Sequence, residues 1–223
     1  MDDTNEQPAL KPPKNPGALW AWLRVGFALI ATGGVISIAH HAYELSSGGV
    51  LPQDDYSLGY AAYVLSALLL AAFALSGLVL MLVFLPWLTY RMNANLHRLG
   101  VDADIELMAP GWAAVWYLIP IANLIMPIRV INQIWRGTFT RADESGKESL
   151  AGPGWVLGII SSALGNWSAR IAGDAATDPT LPTPQASSIT GLLSDFTLLG
   201  FCMLMWLTIG QLARTQREII AAR

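Results

Sequence analysis

The chain has 223 residues, of which 53% are hydrophobic and 13% charged, about half the charged share of roughly 25% usual in soluble domains. With a mean hydropathy of +0.44, this excludes a disordered chain, a basic nucleic-acid-binding domain and an ordinary cytosolic enzyme, and predicts an integral membrane protein. A net charge of −3 gives no strong field to recruit an acidic or basic partner, so nucleic acid is not expected.

Residues 1–18 are polar and carry Pro8, Pro12, Pro13 and Pro16, which reads as a flexible tail. A spanning helix needs about 20 mostly apolar residues. Four runs meet that length: Leu19 to Tyr43, Leu58 to Leu85, Gly154 to Ile171 and Ile189 to Leu212. The first is too long for a signal-peptide core and reads as a retained anchor. Between the first two lies an acidic loop at 45–57, and between the last two another at 173–188. A fifth apolar run, Met108 to Ile128, is interrupted by Pro120, Asn123 and Pro127.

Basic residues mark cytoplasmic segments. Lys11, Lys14 and Arg24 precede or open the first run. Arg91 and Arg98 follow the second. Arg129, Arg136, Arg141 and Lys147 precede the third clear run, and Arg214, Arg217 and Arg223 end the chain. Neither acidic loop carries a Lys or Arg. Both termini and the 91–98 and 129–147 regions are therefore expected inside, and the acidic loops outside.

The fifth run is then flanked by inside segments, and about 20 residues cannot cross twice. The expected fold is an all-α membrane bundle: four full spans plus a Pro-broken re-entrant or interfacial helical hairpin, turning near Pro120-Ile121-Ala122-Asn123. The alternative is five spans, the fifth run crossing once with a kink. The expected organisation is a tail at 1–18, one membrane domain at 19–215 and a short tail at 216–223. Within that domain an amphipathic helix covers 86–99 and the broken helix 108–136.

In 86–99, Leu88, Met92, Leu96 and Leu99 recur at helical spacing opposite Arg91, Asn95 and Arg98, and Gly100 suits a C-terminal cap. The plain reading is a surface anchor on anionic lipid. The functional reading turns Arg91 and Asn95 inward onto a phosphate or carboxylate. In the broken segment, Trp112, Trp116, Tyr117 and Trp135 suit an interfacial aromatic belt. Arg129 and Arg136, seven apart, share a helical face. Asn123 would satisfy backbone groups freed by the prolines, or hold a small ligand as broken transporter helices do.

Three lesser features complete the reading. His40, His41 and Glu44 have spacings that permit a shared proton or metal, though interfacial histidines beside a loop acid explain them as well. Arg170 and Asp195 are expected to pair near the ends of adjacent helices, because a lone charge at depth costs several kcal/mol. Gly154, Gly158, Ser161, Ser162 and Gly165 form small-residue stripes that permit close helix approach, within the chain or across a homodimer seam. Asn166 on the same run is a candidate donor across helices. The single cysteine, Cys202, lies in an apolar run and reads as a small packed residue. No cofactor or metal motif is present, and the expected partner is membrane lipid, with a second copy of the chain or another membrane protein as the alternatives.

The run Trp87-Leu88-Thr89-Tyr90-Arg91 with Asn95-Leu96, then Pro110-Gly111-Trp112, Pro120-Ile121-Ala122-Asn123-Leu124 with Pro127, and Ile134-Trp135-Arg136 resembles domain of unknown function family 4328. The resemblance covers about residues 60–215. It implies a bacterial multi-pass membrane protein and brings no known substrate or catalytic residue. The functional expectation is a bacterial inner-membrane scaffold, sensor or accessory subunit without enzymatic activity. The alternative is a small transporter or lipid-handling protein using residues 110–129.

Overall fold

A computed structural model describes residues 12–47, 58–101, 105–144, 146–177 and 184–222. Residues 1–11 of the expected tail, most of the 45–57 loop and the centre of the 173–188 loop lie outside the described residues. Among the described residues there are six α-helices and no strand: α1 (Gly17–Ser46), α2 (Leu58–Arg98), α3 (Pro110–Val115), α4 (Met126–Arg141), α5 (Ala151–Thr177) and α6 (Pro184–Ala221), with a 3-10 turn at Ala122–Leu124. Three helices are long and apolar enough to cross a membrane: Gly17–Ser46, Gly59–Arg98 and Gln185–Ala221. The expected third clear span is a helix too, but α5 is rich in glycine, alanine and serine and is not among those three.

The chain divides into two compact units. One holds Ala21–Leu85 and Leu150–Ile209; the other holds Met1–Trp20, Pro86–Ser149 and Gly210–Arg223.

The first unit is a four-helix bundle whose crossings are set by small residues. A methyl on Gly77 of α2 would lie 2.8 Å from the Gly26 carbonyl oxygen of α1, so these backbones touch. The α5–α6 seam follows the same logic. A Cβ on Gly154 would meet Leu204 at 3.1 Å, on Gly158 Phe201 at 2.9 Å and on Gly165 the Ser194 hydroxyl at 3.1 Å. Serines continue the seam: Ser194 Oγ donates to Ser161 O at 2.9 Å, and Ser168 Oγ to Ser187 O at 2.8 Å. Gly154, Gly158, Ser161 and Gly165 of the small-residue stripe thus pack inside the chain, where close approach strengthens dispersion without a hydrophobic drive, while Ser162 stays exposed. Because 154 meets 204 and 168 meets 187, α5 and α6 are antiparallel. Phe27 of α1 packs edge-on to Phe201 of α6 at 6.3 Å, and Gly34 lies against Leu199, so α1 is antiparallel to α6 as well. The outward surface stays apolar: Leu68 and Leu75 of α2 are each 63% exposed.

The second unit is held by a different chemistry. Residues 86–98 continue α2 without a break, although Pro86 removes one backbone donor inside the helix. Gly100 then takes a positive φ of 73°, the left-handed cap that glycine adopts without steric cost. The expected surface anchor at 86–99 is corrected here. Residues 92–96 are buried all round, with Asn93 at 1% exposed and Asn95 and Leu96 at 0%, so this stretch is core, while Trp87 and Tyr90 of the preceding turn stay exposed. Among the described residues Gly17 already begins α1, and α6 runs through Gln216 to Ala221.

The segment 108–128 is not one kinked helix. α3 has six residues, about 9 Å at 1.5 Å per residue. Turns follow it, then the 3-10 turn, and α4 starts with Pro127 in its first turn, where a missing N–H costs nothing. α4 buries Val130, Ile131, Ile134 and Trp135 and exposes Arg129 and Arg136. Gly137 lets it approach α2 closely, since a methyl there would lie 2.9 Å from Leu96 Cδ1.

Candidate functional site

The centre of the second unit is a buried amide network. Asn95 accepts from the Lys14 N–H at 2.9 Å and donates Nδ2 to the Lys14 carbonyl at 2.8 Å and to Gln216 Oε1 at 3.3 Å. Gln216 in turn donates Nε2 to the Met92 carbonyl at 3.2 Å and to Thr138 Oγ1 at 3.1 Å. Asn95, Thr138 and Gln216 are all at 0% exposure. Four stretches of chain are therefore joined through amides that would each cost about 1–3 kcal/mol if left unpaired. Arg98 adds a bond from Nη1 to the Pro12 carbonyl at 3.3 Å.

A second knot forms on Met108. Its carbonyl accepts from Asn93 Nδ2 at 2.6 Å and from His97 Nε2 at 3.2 Å. Its N–H donates to Gln133 Oε1 at 3.3 Å, and its sulfur accepts from Trp116 Nε1 at 3.0 Å. The knot fixes the entry to the broken segment. Just beyond, Tyr117 shares a buried hydrogen bond of 3.1 Å with Thr89. Burial pushes its phenol pKa up, and the Thr89 bond only partly opposes this.

The sequence-predicted site residues are distributed as follows. Asn95 is in the amide network, while Arg91 is half-buried and apart from it. Trp135 is buried and donates Nε1 to the Lys147 carbonyl at 2.7 Å. Trp135 and Arg136 line a cleft of about 320 Å³ with Asn132, Lys147 and Glu148. Trp112 stacks on Trp116 at 5.3 Å and is 54% exposed. Pro120 is exposed, Asn123 half-buried, Pro127 buried and Arg129 exposed. A second cleft of this unit, about 570 Å³, is lined by Glu144, Lys147, Arg214 and Glu218 among others. Neither cleft joins Arg91, Asn123 and Arg129.

In the bundle, Glu44 is the focus of a polar cluster. Ser188 donates to its Oε2 at 2.6 Å and Tyr63 to its Oε1 at 3.0 Å. His41 Nδ1 lies 3.2 Å from Oε2, and His40 Nε2 lies 3.5 Å from Oε1. The Ser66 hydroxyl gives its proton to the Tyr63 carbonyl at 2.7 Å, so its contact of 3.2 Å with His40 Nδ1 makes the imidazole the donor. The expected Arg170–Asp195 pair is corrected. Asp195 is 8% exposed and faces His41 Nε2 at 3.9 Å, with Ser37 also hydrogen-bonded to it. Arg170 is exposed and lines a cleft on α5 with Asn166, Trp167 and Asp174. Among the described residues no group of three or more His, Cys, Asp or Glu is arranged to hold a metal.

Sequence reasoning missed Gln216, Lys14 and Met108. Gln216 sits in a charged run, Ala213-Arg214-Thr215-Gln216-Arg217-Glu218, where its uncharged amide is the sole signal of an inward face. Lys14 and Met108 act through their backbones, which no side-chain pattern reveals.

These features define an all-helical protein with three helices suited to a membrane. A family model described as Domain of unknown function (DUF4328) matches residues 52–214, and the chain belongs to that family. No curated protein and no solved structure matches it.

Proposed function

We propose that this is a four-span protein of a bacterial cytoplasmic (inner) membrane, with both termini on the cytoplasmic side, serving as a scaffold, sensor or accessory subunit and not as an enzyme. The observation that carries the span count is the antiparallel seam of α5 on α6, from Gly154–Leu204 to Ser168–Ser187. At 27 residues α5 is about 40 Å long, more than the roughly 30 Å of hydrocarbon. Its glycines and serines lower its hydropathy, and Gly154, Gly158, Ser161, Gly165 and Ser168 face α6, while Val156, Ile160 and Trp167 stay exposed.

The break at 116–125 supports a shallow dip into the cytoplasmic leaflet. Leu118, Ile121 and Ile125 are 67%, 84% and 60% exposed. A tip of that kind is costly in water, and Arg129 and Arg136 lie on the next helix, suited to anionic headgroups. The depth must be small, because open backbone is not tolerated deep in hydrocarbon. A transporter would want a cavity joining Arg91, Asn123 and Arg129; among the described residues the two clefts of this unit are lined by other side chains. Glu44, bonded to Ser188, Tyr63 and His41, suits a clasp between helices rather than a reaction centre.

The test is an environment-sensitive fluorophore on Ile121→Cys in vesicles. The proposal expects quenching by lipids labelled near the headgroup and little quenching by aqueous iodide. Strong iodide quenching with none from lipid would place the tip in water and remove the dip.

A further inference from the structure

The Lys14 backbone is held by Asn95 as a neighbouring β-strand would hold it: one N–H donated at 2.9 Å and one C=O accepting at 2.8 Å. The lysine side chain itself is exposed. Two residues earlier the Pro12 carbonyl accepts from Arg98 at 3.3 Å, and two residues later Pro16 is buried and its carbonyl accepts from the Trp20 N–H at 3.1 Å. The receptor groups are preset. Asn95 is fully buried and oriented by Gln216, which is braced by Thr138 and the Met92 carbonyl.

The segment also has the features of a ligand. Prolines at 12, 13 and 16 lock φ, and a residue before proline is driven to extended backbone. Such a strand loses little entropy on docking. Within 12–16 only Lys14 and Asn15 retain an N–H, and Asn95 takes that of Lys14. Recognition thus reads an extended backbone with one free N–H and C=O set between prolines, and it is indifferent to the central side chain.

We propose that Asn95 and Arg98 form a docking site for an extended, proline-flanked peptide, which the chain's own residues 12–16 fill in cis and which a partner's segment of the same chemistry displaces. Displacement would leave Asn95 bonded to the incoming strand and free the N-terminal tail, so occupancy by a partner is exchanged for occupancy by self.

The chain has three lysines, Lys11, Lys14 and Lys147, so full-length protein labelled with 15N-lysine gives three backbone amide signals. The experiment follows these in nanodiscs while the capped, unlabelled peptide Lys-Pro-Pro-Lys-Asn-Pro-Gly is added. A short tether gives the cis segment an effective concentration of about millimolar or more, so the titration extends to about ten times that. The expected result is a saturable loss of protection at Lys14 with Lys147 unmoved. The same peptide N-methylated on its second lysine should have no effect. Arg98→Leu should speed Lys14 exchange and leave the peptide concentration needed about unchanged, because the cis segment and the added one lose the same bond, and Asn95→Ala should speed exchange by about tenfold or more. If Asn95→Ala does not fold, Arg98→Leu and the N-methylated peptide still decide the matter. No change at Lys14 over the whole titration, or equal competition by the N-methylated peptide, would overturn the proposal.

Discussion

Ser188 donates a hydrogen bond of 2.6 Å to Glu44 from a position 144 residues further along the chain. That contact ties the end of α1 to the start of α6, and Tyr63 of α2 joins it at 3.0 Å. One carboxylate thus collects donors from three helices. Bonds to a charged acceptor are roughly twice as strong as neutral ones.

Removing Ser188 should be mild and removing Glu44 severe. Ser188→Ala should cost about 1–2 kcal/mol, and Glu44→Ala about 3 kcal/mol, because the latter strands several donors. The two changes share a partner, so their effects should not add. Thermal unfolding of the single and double variants in detergent checks this, and strict additivity would dissolve the cluster.

Asp195 should couple to His41 and not to Arg170. The double-mutant cycle of Asp195→Asn with His41→Gln should give an interaction energy of at least about 0.5 kcal/mol, while the cycle with Arg170→Gln should give about zero. The opposite ranking would restore the pairing expected from the sequence.

The helix seams should be unforgiving at one glycine and indifferent at another. Gly77→Leu places a side chain where α1 backbone already lies and should cost about 1–3 kcal/mol or more through overpacking. Gly152→Ala meets nothing within 4 Å and sits in a helix, so it should be neutral or stabilising by about 0.5–1 kcal/mol. Melting curves of the two variants provide the comparison.

Gln216→Leu should destabilise strongly despite its conservative volume. It leaves the Asn95 amide and the Met92 carbonyl short of a partner in a buried place, at about 1–3 kcal/mol each. Adding Thr138→Val should cost less in that background than in the native chain, as read from paired melts.

Hydropathy was enough to locate the helices. Leu19–Tyr43 lies inside α1 and Ile189–Leu212 inside α6, because roughly 20 apolar residues leave the backbone few alternatives to a helix. The breaks at Pro120 and Pro127 were legible for a stereochemical reason, as was the cap at Gly100. The small-residue stripe from Gly154 to Gly165 was legible as a seam, but its partner helix was not. The core position of 92–96 is hidden in the sequence because Asn93 and Asn95 look like surface residues until Met108 takes the Asn93 Nδ2 bond and Lys14 and Gln216 pair with Asn95. Those partners lie up to 121 residues away, and two of them contribute backbone atoms. Arg170 and Asp195 were misjoined for a related reason: helix rotation, which sequence spacing leaves open, turns Asp195 toward α1.

Membrane topology is the claim on which the rest depends. Single cysteines at Ser47, Arg141 and Ala222, in a background where Cys202 is replaced by serine, can be probed in intact cells with a membrane-impermeant maleimide. The account predicts labelling at 47 from outside, and labelling at 141 and 222 only after the membrane is opened. Labelling at 141 in intact cells would mean that the segment 108–128 crosses the membrane, and would contradict the four-span account.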